Sequence, residues 1–141
     1  MILAGPDLPR GLRVTGNTSH LDVMPTLCEL SGIEPPGECE GRSMLSLLSD
    51  PAGDPDRVIF SEHNAVAGSD HSAYSHVAID QVMAKRRDLK LIDYDGQEWQ
   101  AFDLSNDPTE RRNVAENPGY RDALRPLRDA IEGFRRGSPI R

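Results

Sequence analysis

The sequence predicts an α+β fold, with a small antiparallel sheet of about four strands packed against a C-terminal helix and preceded by a strand-loop-helix segment. Three observations in the 141 residues carry this. Residues 89–104 read as a β-hairpin closed at Asp95-Gly96. Asp-Gly between apolar-rich runs is the strongest short-range hairpin signal, because a type I′ turn needs positive φ at both central residues. β-type runs at 58–61 and 73–84 come before it, with Val77, Ile79 and Met83 alternating as in a half-buried strand. Tyr120, Leu124, Leu127, Ile131 and Phe134 then recur at steps of three and four, forming one face of a helix packed on the sheet.

Taken in order, residues 1–4 are a short apolar strand end stopped by Gly5-Pro6, and a loop runs on to Asn17. Ser19-x-x-Asp22 is a capping box that opens a helix carrying Val23, Leu27 and Leu30, with Gly32 as its stop. Pro25 falls in the early turns of that helix. An interior proline costs roughly 3 kcal/mol and bends the axis, so an outside contact is expected to compensate. Pro35-Pro36-Gly37 is a break, and residues 43–48 form a short helix or turn closed by Asp50-Pro51.

In the hairpin, a two-residue loop sets Tyr94 opposite Gln97, Ile92 opposite Trp99 and Leu89 opposite Phe102. Ile92 with Trp99 is a favourable cross-strand pair, worth about 0.2–1 kcal/mol. Asp93 against Glu98 is a mismatch tolerated only in solvent. Asp107-Pro108 reads as a helix start, with Glu110 completing a capping box. Asn117-Pro118 repeats the cap-plus-proline start for the terminal helix. Pro126 should kink that helix, and Gly133 and Gly137-Ser138-Pro139 should fray its end.

Apolar residues make up 37% and aromatics 5%, so the core is lean and centred on the second half, where most of the aromatics lie. A net charge of −7 argues against nucleic acid, whose phosphates need a basic face. Cys28 and Cys39 form no C-x-x-C pair, so two free thiols of a reducing compartment are expected, with a single bond between them as the alternative. No apolar run reaches membrane-spanning length, and Met1-Ile2-Leu3-Ala4-Gly5 is too short for a signal peptide. As written, the chain reads as soluble and cytoplasmic.

One constellation could carry chemistry: Glu62, His63, Asp70, His71 and His76. Imidazoles and carboxylates are the usual ligands of a divalent metal, which makes a metal-binding domain built on the His63/His71 loop one reading. The spacing is no zinc signature, since there is no HExxH and no Cys partner. A solvated polar loop is the other reading.

Ser19-His20-Leu21-Asp22-Val23-Met24-Pro25-Thr26-Leu27, then Leu30-Ser31-Gly32-Ile33, Pro35-Pro36 and Gly41-Arg42-Ser43, resemble the point where the last core helix of type I sulfatases meets their large α/β domain. Lys90-x-Ile92 and Phe102-Asp103-Leu104-x-x-Asp107-Pro108-x-Glu110-x-x-Asn113 are similar to the close of the C-terminal subdomain of these formylglycine-dependent enzymes, members of the alkaline-phosphatase-like superfamily. The resemblance covers Ser19 to about Asn117. It implies that residues 1–50 are a remnant of the α/β core and 51–141 the antiparallel-sheet subdomain.

It also implies that Phe60-Ser61-Glu62-His63 approaches the active-site rim, where His63, with Glu62 and His71, would touch a sulfate-ester substrate. Family members cleave sulfate esters with a formylglycine made from the Cys of C-x-P-S-R or C-x-A-S-R, and with a calcium ion. Cys28-Glu29-Leu30-Ser31-Gly32 and Cys39-Glu40-Gly41-Arg42-Ser43 do not fit that motif. The resemblance therefore carries over no catalytic residue, no metal ligand and no cofactor. The chain alone is expected to be inactive, relying on self-association or on a catalytic N-terminal partner. A free-standing binding or oligomerisation module is the alternative.

Overall fold

The computed structural model describes residues 1–63 and 80–137, and the chain forms two compact units, Met1–Arg57 and Val58–Arg141.

In the first unit, helix α1 (Val23–Leu30) follows a 3-10 turn at His20–Asp22. The capping box forms as expected. Ser19 N–H donates to Asp22 Oδ2 at 2.8 Å, and Leu21 N–H donates to Ser19 Oγ at 3.3 Å. Because α1 begins at Val23, Pro25 lies in its first turn, where a missing N–H leaves no hydrogen bond unmade, so the interior-proline penalty does not arise. Gly32 (φ 66°) closes the helix, with Ile33 N–H donating to Cys28 O at 2.9 Å. Cys28 and Cys39 are free thiols. Residues 43–48 form a 3-10 turn at Leu45–Leu48. Residues 1–4 form no strand, contrary to expectation, since a strand exists only by hydrogen bonding to a neighbour and none pairs with them.

Asp22 holds this unit together. It is fully buried (0% exposed), and its Oδ1 accepts from Arg57 Nη2 at 2.6 Å and from Arg42 N–H at 2.9 Å. Thr26 extends the network: its Oγ1 donates to Asp22 O at 2.6 Å and accepts from Met44 N–H at 2.9 Å. Gly41 lies so close that an added Cβ would stand 1.9 Å from Leu21 O, which admits glycine alone. Burial pushes the Asp22 carboxyl up, but the hydrogen bonds from Arg57, Arg42 and Ser19 and the Arg57 charge together hold it below the ordinary 3.8.

The second unit is a four-stranded antiparallel meander, β1 (Val58–His63), β2 (Gln81–Arg86), β3 (Leu89–Tyr94) and β4 (Glu98–Asp103), in the order β1-β2-β3-β4. The part of the expected second strand at 73–79 lies outside the described residues. Helix α2 (Arg121–Arg135) packs on one sheet face, where Leu124, Leu127 and Ile131 bury against Val82, Ala84, Leu91 and Ala101. Phe134 stacks on Phe60 with ring centres 5.2 Å apart. Pro126 sits inside a helix that continues to Arg135, and Gly137 (φ 74°) closes it by donating to Phe134 O at 3.0 Å.

The hairpin turn forms, but the strands pair one residue out of the expected register. Asp95 and Gly96 have φ of 51° and 72°, and Gln97 N–H donates to Tyr94 O at 2.9 Å. Even so, Tyr94 pairs with Glu98, Asp93 with Trp99 and Ile92 with Gln100, leaving Gln97 as an extra residue. A one-residue slip exchanges sheet faces. It brings Asp93 (2% exposed) under α2, where Arg135 Nε meets Asp93 Oδ2 at 2.6 Å, and it sets Arg128 4.8 Å over the Trp99 ring. The feared Asp93–Glu98 clash therefore does not occur.

No helix starts at Asp107. Glu110 adopts φ 54° and pairs with Lys90 Nζ at 2.7 Å instead of reaching back to the cap. Asp107 Oδ2 accepts from the N–H groups of Arg111 and Arg112, each at 2.7 Å, and so closes a loop. That loop delivers Asn113 and Val114 to the edge of β4. Ala101 N–H donates to Asn113 Oδ1 at 2.9 Å, and Val114 N–H donates to Ala101 O at 2.9 Å. Asp103 receives the hydroxyls of Ser105 and Tyr120 and the Asn106 amide, which hold its carboxyl far below the usual carboxylate range.

Two outcomes follow. Leu124→Ala should destabilise the sheet–helix unit by about 2–5 kcal/mol, read from denaturant unfolding followed by Trp99 fluorescence. Because Asp22 has its pKa lowered by folding, its contribution is complete above 3.8 and is lost as pH falls through the folded value. Amide-exchange protection of Arg42 and Met44 should therefore fall on acidification below that point in the native chain. In Asp22→Asn the protection should be weak at neutral pH already.

Candidate functional site

Glu62 and His63 are the last two residues of β1, and both are exposed. Alternation along the strand sends them to opposite faces of the sheet. Glu62 is opposite Val82 and stands on the α2 side, whereas His63 is opposite Gln81 and faces away from α2. The structure therefore separates the two side chains that the sequence placed together. Asp70, His71 and His76 lie outside the described residues. Among the described residues, no group of three or more His, Cys, Asp or Glu side chains could hold a metal ion. The calcium that the family implies thus has no ligand set among them.

The register extends the row begun by His63 across all four strands. His63 is opposite Gln81, Gln81 opposite Tyr94, and Tyr94 opposite Glu98. Tyr94 Oη donates to Gln100 Oε1 at 3.2 Å, and Gln100 Nε2 donates to Glu98 Oε1 at 3.0 Å. Burial, then the carboxylates of Glu98 and Glu110, push the Tyr94 phenol up, so it stays a neutral donor. Reading the hairpin as a two-residue loop hid the β4 end of this row, because it set Tyr94 against Gln97. Only the extra residue at Gln97 brings Glu98 into line.

The Met1–Arg57 unit carries a second feature, an apolar groove of about 790 Å³ lined by residues that include Ile2, Leu3, Leu8, Val14, Leu45 and Leu48. Ile2 is 95% exposed and Ile33 62%, and Leu21, Met24 and Leu27 are each about half exposed.

Residues 6–137 match the family described as N-sulphoglucosamine sulphohydrolase, C-terminal. The chain is 31% identical over 137 residues to the delta 4,5-hexuronate-2-O-sulfatase of Bacteroides thetaiotaomicron, a match covering 94% of this chain and 27% of that protein. It is 31% identical over 118 residues to human (Homo sapiens) arylsulfatase K, covering 82% of this chain and 22% of the relative. Among solved structures, a 2-O GAG sulfatase superposes with a TM-score of 0.65 at 28% identity, covering 83% of this chain and 24% of that one. The phosphonate monoester hydrolase of Silicibacter pomeroyi shares the fold, with a TM-score of 0.72 at 22% identity over 96% of this chain and 28% of that one. The chain thus spans about a quarter of the length of the relatives it matches. No helix among the described residues is long and apolar enough to cross a membrane. By the family match over nearly its whole length, the chain belongs to the sulfatases of the alkaline-phosphatase-like superfamily, as the C-terminal region of one.

Proposed function

We propose that this chain serves as the C-terminal lobe of a sulfuric ester hydrolase that acts on sulfated sugars. It docks on a catalytic α/β portion and brings the end of β1 to the rim of that portion's active site. The observation that carries this reading is the alignment of 94% of the chain with 27% of a hexuronate sulfatase. A segment that matches so fully, yet only as a quarter of its relative, works as a part.

The exposed apolar groove of the Met1–Arg57 unit supports the docking half of the reading. Ile2, Met24 and Ile33 of this unit are more than half exposed, and burying such side chains contributes about 25 cal/mol per Å² of apolar surface. In this reading, residues 1–50 complete the α/β core and 51–141 form the subdomain that carries the rim. The formylglycine and its calcium belong to the catalytic portion. His63 contacts substrate from the rim and serves as a binding residue.

The test is complementation. The α/β portion of the Bacteroides hexuronate sulfatase, expressed without its own C-terminal quarter, should be inactive and should regain sulfate release when this chain is co-expressed. The chain by itself should show no turnover. In the restored pair, His63→Ala should raise KM with kcat little changed, as expected when ground-state and transition-state binding are lost together. Robust turnover by the chain alone, or failure of co-expression to restore any activity, contradicts the reading.

A further inference from the structure

We propose that Tyr94 and Gln100, aligned with His63 on the sheet face opposite α2, form a contact strip for the hydroxyl groups of an uncharged sugar ring. This rests on the reading that the chain serves a sugar sulfatase, and it assigns the strip to an uncharged ring of that sugar. The strip is ordered before any ligand arrives. Tyr94 Oη donates to Gln100 Oε1 and Gln100 Nε2 donates to Glu98 Oε1, so the amide orientation and the hydroxyl rotor are both set by neighbours.

Each group keeps capacity for a ligand. A primary amide has a second N–H, and a phenol oxygen accepts as well as donates. The half-buried Tyr94 ring adds an apolar plate with a polar tip, which matches the apolar face and hydroxyl edge of a pyranose.

Charge selects the ring. Glu98 stands in the row with His63, Gln81 and Tyr94, and that row holds neither Lys nor Arg. Among the described strand residues, the lysines of this face, Lys85 and Lys90, stand opposite each other four residues further along the strands, about 13 Å away, and Lys90 is held by Glu110. A sulfate ester seated on the strip would face a carboxylate. A neutral hydroxyl meets a donor amide, a phenol and a carboxylate acceptor.

The test is NMR on the full chain, following the Gln100 side-chain amide and the Tyr94 ring. The neutral disaccharide N,N′-diacetylchitobiose should shift both signals at millimolar concentration, whereas N-acetylglucosamine 6-sulfate should bind more weakly than N-acetylglucosamine. Tyr94→Ala and Gln100→Leu should each weaken the disaccharide by about tenfold. Tyr94→Phe, which keeps the ring and loses the hydroxyl, should fall between. Near-UV circular dichroism from Trp99 shows that each variant is folded; if Tyr94→Ala is not, Gln100→Leu and Tyr94→Phe decide. Unshifted Tyr94 and Gln100 signals, undiminished affinity in the folded variants, or tighter binding of the sulfated monosaccharide would overturn the proposal. Because the readout is sugar binding by this chain, it succeeds or fails independently of sulfatase complementation.

Discussion

The Met1–Arg57 unit holds together through polar contacts and leaves its apolar surface uncovered. Its buried residues are Asp22, Pro25, Thr26 and Met44, two of them polar, while Ile2, Met24 and Ile33 are more than half exposed. A buried carboxylate is stable only where its partners satisfy it, and Asp22 has Ser19, Arg42 and Arg57. That network fixes the path of residues 41–44 against α1. It does little to bury hydrocarbon. The Val58–Arg141 unit is the reverse: Leu91, Leu124, Leu127 and Ile131 are sealed between sheet and helix, so it has an apolar core of its own. One unit thus buries an apolar core between sheet and helix, and the other leaves much of its apolar side-chain surface exposed.

Where local rules and packing agreed, the fold was legible in the sequence. The stripe from Tyr120 to Phe134, the Asp95-Gly96 turn and the Ser19-x-x-Asp22 box all appear in the structure. Where packing between distant residues decided the outcome, local rules failed. Turn chemistry alone specified a two-residue hairpin loop. The adopted register gives Asp93 an ion pair with Arg135, 42 residues away along the chain, and no local pattern announces that pairing. At Asp107 the cap-plus-proline signal was real, because Asp107 does accept two backbone N–H groups, but a left-handed Glu110 turned the chain toward β4. The loop won because Asn113 and Val114 satisfy the edge of the sheet.

The candidate site was legible only in part, for the same reason. Glu62 and His63 were found from composition, but their opposite facing needed the register of β1 against β2. Tyr94 reaches the row of His63 through the register of β2 against β3, and Gln100 and Glu98 reach its face only through the extra residue at Gln97. The Asp22–Arg57 pair, 35 residues apart, has no spacing signature. Family resemblance supplied what periodicity could not, namely that these elements match the C-terminal region of sulfatases.

On the proposed reading of this chain as a docking lobe, its exposed apolar side chains are expected, in the purified chain, to be covered by another copy of itself. Light scattering on the purified chain over a range of concentrations tests this directly. The proposed reading predicts a dimer or larger species that persists on dilution. A clean monomer at high concentration, with the Met1–Arg57 unit folded, would show that this surface needs no partner, and the chain would then be better understood as an independent module.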